Sequence, residues 1–141
     1  MNVVLDTNVV LDLWLFHDNT WGELKALLQA RQLRWLATRP MRDELAAVLT
    51  YPHLQQRMQV YGRSVDEVLG PMDALVGWQD VAPRAPYVCK DPDDQKFIDL
   101  CVAHQAVLLS KDLQVLKLRN RLARLGCQVA AQWLRPQPGL H

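Results

Sequence analysis

The chain begins with an apolar strand that leaves few folds open to it. Val3, Val4 and Leu5 follow one another without polar alternation, a pattern typical of a central strand in a parallel sheet that is buried on both faces. The strand ends at Asp6. Because open α/β sheets place their ligand sites at the carboxyl ends of the strands, Asp6 lies where such a fold carries its chemistry.

The rest of the sequence alternates between strands and helices. Four further strands are predicted, at residues 32–38, 78–81, 106–110 and 127–131. Predicted helices lie between them, from residue 20 through 28, from 40 to about 50, within 53–78, from 91 to about 105, and over 113–125. This alternation implies a parallel sheet with helices on both faces. The predicted fold class is a three-layer α/β/α sandwich with a mainly parallel sheet, as one domain over residues 1–141.

Local signals set several of the predicted helix boundaries. Thr20 and Ser64 each begin a capping box, with a glutamate three residues later. Pro71 is expected to kink or split the helix that Ser64 opens. Asp91 is the predicted N-cap of the next helix, and Asp93 complements that helix's dipole. We therefore interpret Asp91 and Asp93 as helix-start acids.

Composition limits the classes of function. The chain has 141 residues and a net charge of +1, so any binding of nucleic acid must come from a local basic patch. No apolar run approaches the length of a membrane span, and the first residues lack the pattern of a signal peptide. A cytoplasmic protein is expected.

The three cysteines give no sign of a disulfide framework or a zinc site. Cys89, Cys101 and Cys127 are odd in number and lack CxxC spacing. Free cysteine is among the residues most often buried. Three buried, reduced thiols are the expectation.

Two acids follow predicted buried strands. Asp6 comes directly after the first strand, and Asp112 comes two residues after the strand at 106–110. A small hydroxyl lies beside each carboxylate, Thr7 in one case and Ser110 in the other. An aspartate at the end of a strand also serves to cap a turn, so each acid alone has a structural explanation.

Two more acids border apolar helix faces. Glu44 lies three residues after Met41 and four before Val48, at the edge of the face that packs on the sheet. Asp94 shares a helical stripe with Phe97 and Ile98. A helix acid alone is usually a solvated surface residue, and that alternative stands for each.

The predicted topology brings Asp6, Glu44, Asp94 and Asp112 to one end of the sheet. Several carboxylates close together do not all stay ionised without a cation. Ligation by oxygen alone favours Mg²⁺ or Mn²⁺. Such ions polarise a phosphoryl oxygen and activate water, so the expected substrate is a phosphodiester.

With these residues identified, the sequence resembles the PIN-domain family of metal-dependent ribonucleases. The resemblance covers nearly the whole chain, and its motifs are LDTN at residues 5–8, Glu44, DxxFI at 94–98 with Ala103, and SKD at 110–112. The segment DPDDxxF at 91–97 is most similar to a bacterial subgroup described as toxin components of toxin–antitoxin pairs.

The resemblance implies a nuclease that cleaves single-stranded RNA, with Mg²⁺ or Mn²⁺ held by Asp6, Glu44, Asp94 and Asp112. Thr7, Asn8 and Ser110 would form a supporting polar shell. Implied partners are the RNA substrate, a cognate antitoxin and a second copy of the chain. Many relatives carry a further acid two residues after the last aspartate, where this chain has Gln114. The number of metal ions, one or two, stays open.

Basic residues cluster in and before the last predicted helix, at Lys111, Lys117, Arg119, Arg121 and Arg124. We interpret Lys111, Lys117, Arg121 and Arg124 as a track for RNA phosphates near the acids. The alternative is an ordinary solvated face. The five tryptophans are expected in the core or an interface rather than as platforms for base stacking.

Two other functions compete with the nuclease. A receiver-like or phosphatase domain for phosphoryl transfer also uses acids at strand ends, but Asn8 stands here where an Asp-x-Asp motif needs a second acid. A non-catalytic PIN scaffold that binds RNA or protein would be marked by loss of one of the four acids, and all four are present. A dinucleotide-binding domain would need GxGxxG after the first strand, which the chain lacks.

Overall fold

The sheet of this protein is entirely parallel. The structure, a computed structural model, describes residues 1–133, so residues 134–141 of the predicted domain lie outside the described residues. Its five strands are β1 Asn2–Leu5, β2 Arg34–Ala37, β3 Gly77–Trp78, β4 Val107–Leu109 and β5 Gln128–Ala130. They lie in the order β3-β2-β1-β4-β5. The predicted α/β/α sandwich is confirmed.

Helices connect the strands and cover the sheet. They are α1 Thr7–Trp14, α2 Gly22–Gln29, α3 Arg39–Val48, α4 Pro52–Tyr61, α5 Val65–Leu75, α6 Gln95–His104, α7 Leu113–Leu116 and α8 Arg119–Ala123. Two short 3₁₀ helices, Asn19–Trp21 and Pro92–Asp94, precede α2 and α6. Parallel strands need crossover connections of this kind, because a tight turn joins only antiparallel neighbours.

The first strand is central and buried, as its sequence predicts. In the register, Val3 pairs with Trp35 of β2 and Val107 of β4, and Leu5 pairs with Leu109. Val3 and Val4 have no exposed surface. β1 therefore anchors the middle of the sheet, and its carboxyl end lies directly beside that of β4.

The core contains several of the tryptophans. Trp14, Trp21 and Trp35 are each at most 5% exposed, as expected for core residues. The rings of Trp14 and Trp35 stack with centroids 5.2 Å apart and an interplanar angle of 5°. α1 is thereby packed firmly against β2.

The helix that follows β1 was not predicted. α1 begins at Thr7, and its N-cap is Asp6, whose Oδ1 accepts a hydrogen bond from the Asn8 amide at 3.2 Å. Val9 and Val10 are β-branched and disfavour a helix on intrinsic propensity. Both are buried, so tertiary packing outweighs propensity here.

Two other helix signals differ in the structure: the capping box at Thr20 was wrong, and the helix is not split at Pro71. Thr20 does not cap a helix; Asp18 does, because its Oδ1 accepts from the Thr20 amide at 3.0 Å and α2 starts later, at Gly22. Pro71 does not split α5, which continues through it behind the capping box at Ser64. The buried face of α5, with Val68 and Met72, offsets the hydrogen bond that the proline cannot donate.

The C-terminal part of the described chain also departs from expectation. The predicted basic helix over 113–125 is two short helices, α7 and α8, which are separated at Lys117 and Leu118. The expectation of three reduced thiols was wrong, because Cys101 and Cys127 form a disulfide and only Cys89 is free and buried. Their Cα atoms lie 5.8 Å apart, a contact between α6 and the start of β5 that the spacing of the cysteines does not reveal.

Candidate metal centre

The register of the sheet brings Asp6 and Ser110 together. Leu5 and Leu109 are paired, so the residue after each lies at the same edge of the sheet. The Asp6 amide donates to the Leu109 carbonyl at 3.0 Å. Adjacent parallel strands thus place the first acid beside the start of the segment that carries Asp112.

Ser110 links two of the predicted acids. Its hydroxyl is fully buried, donates to Asp6 Oδ2 at 2.6 Å, and accepts a hydrogen bond from the Asp112 amide at 3.1 Å. Asp6 itself is 4% exposed. A single buried hydroxyl therefore fixes the orientation of Asp6 and the backbone position of Asp112.

Glu44 reaches the same region from α3. The Thr7 hydroxyl donates to Glu44 Oε2, and the Lys96 ammonium donates to Oε1 at 3.0 Å. The Glu44 side chain is 24% exposed, so it is more enclosed than the solvated helix acid of the alternative interpretation. Hydrogen bonds from two elements hold its carboxylate.

Asp94 ends the 3₁₀ helix Pro92–Asp94 and is only 8% exposed. Carboxylate oxygens of Asp91, Asp94 and Asp112 all lie within 4.8 Å of one another. Among residues 1–133, no hydrogen-bond donor reaches Asp94 Oδ2, although this atom is buried. A buried carboxylate oxygen without a donor is costly unless something positive lies against it.

Burial and neighbouring acids raise the pKa values of two of the predicted acids, Asp6 and Asp94. Burial, followed by the charges of Asp6 and Asp112, raises the pKa of Asp94 to about 8. Burial also raises the pKa of Asp6; hydrogen bonds from Ser110 and the Asn8 amide oppose this, and the charges of Asp112 and Glu44 add to it. The structure thus brings Asp6, Glu44, Asp94 and Asp112 into one cluster at the carboxyl edge of the sheet.

A comparison with protein-family models matches residues 2–114 of this chain to the PIN domain. The match covers most of the chain and includes every acid of the cluster. The chain belongs to the PIN-domain family. A search of the curated proteins found no match.

The donors of this PIN domain fit a hard divalent cation. The side-chain groups of the cluster that could coordinate a cation are carboxylates and hydroxyls, and oxygen ligands suit Mg²⁺ or Mn²⁺ better than softer metals. The unpartnered Asp94 oxygen is the observation of this structure that a bound cation would explain. The residues present can therefore hold the metal ion that such a domain typically uses.

The cluster has two parts that differ in hydrogen bonding. In Asp6 and Glu44, here called the donor-rich pair, protein donors reach both carboxylate oxygens of each residue. In Asp91, Asp94 and Asp112, here called the donor-poor trio, backbone amides cap Asp91 Oδ1 and Asp112 Oδ1 only, while Asp94 Oδ2 has no donor from the described chain.

Asp91 is the residue of the cluster that the sequence analysis missed. It caps the 3₁₀ helix as predicted, because its Oδ1 accepts from the Asp93 amide at 3.0 Å. It also lies within the group of three carboxylates that could hold a metal ion. The sequence gives no separate signal for this second role, since a helix-start acid and a ligand in the same loop have the same appearance.

The residues of the predicted supporting shell differ in how they contact the acids. Thr7 and Ser110 contact the acids through their hydroxyls. Asn8 is exposed, and its backbone amide is the group that donates to Asp6. Gln114 donates its backbone amide to Asp112 Oδ1 at 2.7 Å, and its neutral side chain supplies no further acid at this position.

The four residues of the predicted basic track do not lie together, and only Lys117 and Arg121 share a groove. Lys111 pairs with Asp12, so its ammonium is occupied. Lys117 and Arg121 line a surface groove together with Gln114 and Lys90. Lys90 directly precedes Asp91, and the Gln114 amide bonds Asp112, so this groove borders the acids.

Arg124 is exposed and is not among the residues that line this groove.

In the described part of the chain, no helix is both long and apolar enough to cross a membrane.

Proposed function

We propose that this PIN domain is a Mg²⁺- or Mn²⁺-dependent endoribonuclease that cleaves single-stranded RNA and acts as the toxin of a toxin–antitoxin pair. The observation that carries the nuclease assignment is the group of Asp91, Asp94 and Asp112, in which one carboxylate oxygen from each residue lies within 4.8 Å of the others. Asp94 is the buried member of this group, and its Oδ2 has no donor from the described chain. A cation held by these residues would neutralise their mutual repulsion, and a groove lined with basic side chains borders the same acids.

In this proposal Asp6, Glu44, Asp94 and Asp112 hold the metal. When bound, the ion supplies a Lewis acid for the phosphoryl oxygen and lowers the pKa of a coordinated water. Ser110 keeps Asp6 and Asp112 in register through its two hydrogen bonds. Thr7 and Lys96 orient Glu44, so little reorganisation is needed when substrate arrives.

Lys90, Lys117 and Arg121 are proposed to bind RNA phosphates on the approach to the acids. Phosphate contacts position a strand without reading its bases. Lys111 contributes less to this track than its sequence position suggests, because Asp12 neutralises its charge.

The nuclease proposal is tested with the purified full chain, Mn²⁺ or Mg²⁺, and a pool of end-labelled single-stranded RNAs. Cleavage should require the metal and should be nearly absent in Asp6→Asn, which changes charge with little change in volume. Asp43→Asn is the matched control, since Asp43 is exposed and directly precedes Glu44 in α3. Cleavage by Asp6→Asn, or in excess chelator, would refute the metal mechanism.

The same assay separates the nuclease from a non-catalytic module. RNA binding without cleavage of any RNA in the pool would favour a PIN scaffold that only binds. The match of the chain to the PIN domain disfavours the receiver-like or phosphatase alternative.

The toxin role is supported by the resemblance of DPDDxxF at residues 91–97 to the toxin subgroup. It implies a cytoplasmic protein, a cognate antitoxin and a homodimer. Induction of the wild-type chain in a bacterial host should arrest growth, and co-expression of a small DNA-binding protein encoded directly upstream should relieve the arrest. Equal arrest by the wild type and Asp6→Asn would show that RNA cleavage is not the cause.

A further inference from the structure

The donor-poor trio differs from the donor-rich pair in what the protein supplies to it. A lysine ammonium, two hydroxyls and an amide serve the carboxylates of Asp6 and Glu44. The trio receives backbone amides at the two capping oxygens, and no lysine or arginine of residues 1–133 forms an ion pair with any of its members. Its negative charge is therefore the less compensated of the two.

The buried member of the trio, Asp94, gives an independent indication that a ligand binds here. The Asp94 residue is only 8% exposed, and its Oδ2 has no hydrogen-bond partner within the described chain. One carboxylate oxygen of Asp94 lies within 4.8 Å of one oxygen each of Asp91 and Asp112. Three carboxylate oxygens at such separations can converge on one cation with bonds of about 2.0–2.6 Å.

We propose that Asp91 is a direct ligand of the divalent cation, alongside Asp94 and Asp112, in addition to its role as a helix cap. This inference rests on the proposed metal-dependent function and names a ligand beyond the four acids assigned to it. The two roles are compatible, because the cap uses Oδ1 of Asp91 and leaves Oδ2 for the cation. Asp91 is solvent-accessible, so it closes the outer side of a site whose inner side is Asp94.

The capping role allows a variant that keeps the fold and removes the ligand. Serine is another favoured N-cap residue, but its side chain is too short to reach a cation held by Asp94 and Asp112. Asp91→Ser therefore tests the ligand alone. Asp93→Ser is the matched control, since Asp93 lies two residues away, is exposed, and is outside the group of three.

The experiment measures Mn²⁺ binding to the full chain without RNA, from the loss of the free-ion paramagnetic resonance signal. We expect Asp91→Ser to weaken Mn²⁺ binding by about tenfold or more, the scale seen when a metal site loses a supporting group. Asp93→Ser should weaken it by less than about twofold, because a screened surface charge acts weakly. Thermal unfolding checks that both variants fold.

A second measurement counts coordinated water with Tb³⁺ as the probe, from luminescence lifetimes in H₂O and D₂O. Asp91→Ser should show an additional coordinated water and Asp93→Ser should not. Equal affinities in the two variants, no added water in Asp91→Ser, or no Mn²⁺ binding by the wild type would each overturn the inference.

These outcomes are distinguishable from failure of the proposed function. Wild-type protein that binds Mn²⁺ through Asp91 but cleaves no RNA would refute the nuclease and leave the ligand assignment intact. Metal-dependent cleavage with equal Mn²⁺ affinity in Asp91→Ser and Asp93→Ser would refute the ligand assignment and leave the nuclease intact.

Discussion

The donor-rich pair and the donor-poor trio lie in one cluster, but the protein compensates their negative charges to different extents. Asp6 and Glu44 are stabilised by the protein itself, through Ser110, Thr7 and Lys96. The trio leaves a buried oxygen of Asp94 without a donor. Burying a charge without compensation costs free energy or shifts the pKa, and in Asp94 the pKa is raised to about 8.

The difference follows from where the two groups lie in the fold. The pair is attached to the end of β1 and to α3, which pack on the core. The trio lies on connecting segments, before α6 and before α7. In our proposal, donors from the protein itself hold the pair, whereas a bound cation supplies the positive charge that the trio lacks.

The substitution Asp94→Asn should have the largest effect on RNA cleavage and on Mn²⁺ affinity. This variant removes the buried charge at the centre of the trio, so RNA cleavage and Mn²⁺ affinity should both fall by at least about 100-fold. Asp43→Asn is the control and should retain both. Metal-dependent cleavage within a few-fold of wild type in Asp94→Asn would mean that the pair alone holds the metal and that the trio is not its binding site.

Ser110→Ala tests the donor-rich side. Loss of the hydroxyl removes the donor to Asp6 and the acceptor of the Asp112 amide. We expect a loss of about 1–3 kcal/mol in the free energy of unfolding and about tenfold in cleavage. Urea unfolding and the RNA assay measure these effects.

Ser64→Ala is the matched control for that variant. Ser64 caps α5, far in sequence from the acids, so its loss should cost about 1 kcal/mol with no change in cleavage. If Ser64→Ala lowered cleavage as much as Ser110→Ala, the effect of Ser110 would be one of general stability rather than of positioning.

The pH dependence of stability should come mainly from Asp94 of the trio, and the raised pKa of Asp6 acts in the same direction. The pKa of Asp94 rises from its ordinary value of 3.8 to about 8 in the folded state. Between these values the folded state binds more protons than the unfolded state, so stability falls as pH rises from about 4 to about 8.

In the presence of chelator, we therefore expect the free energy of unfolding of the wild type to fall by about 1–2 kcal/mol relative to Asp94→Asn over this pH range. This is less than the pKa shift alone would give, because water and neighbouring groups relax around the charge. Urea unfolding at pH 5 and pH 8 checks it. Added Mn²⁺ should abolish the loss in wild type. Parallel stability curves for the two proteins would show that Asp94 is ionised without cost.

The donor-rich pair could be predicted from the sequence because it follows from strand order. An apolar strand that ends at Asp6 and a second that ends at Ser110 are adjacent in a parallel sheet, and their ends meet. Glu44 could be placed from its position on an amphipathic helix. These inferences depend on periodicity and topology, which a single sequence carries.

The trio could be predicted only in part, because its geometry depends on local backbone and long-range packing. Asp91 has the sequence signature of a helix cap whether or not it also faces Asp94. The same limit applies elsewhere: buried valines in α1 outweigh helix propensity, and Cys101 meets Cys127 through packing across 26 residues of chain. Contacts of this kind leave no periodic trace.

The smallest expected effect concerns the groove beside the trio. Arg121 lines it with Lys117 and Lys90, whereas Arg124, one turn further along the chain, does not. Arg121→Ala should weaken binding of single-stranded RNA a few-fold and reduce the slope of log affinity against log salt by about 1.

Arg124→Ala is the matched control and should change that slope less, since it removes the same charge outside the groove. Fluorescence anisotropy measures the RNA affinity of both variants across a series of salt concentrations. Ca²⁺ is present in this assay because it binds oxygen ligands with a coordination different from that of Mg²⁺. Equal slopes for the two variants would mean that RNA responds to the net charge of this end of the molecule. A selective effect of Arg121→Ala would instead place the RNA backbone along the donor-poor side of the cluster, where Asp91 and Asp94 lie.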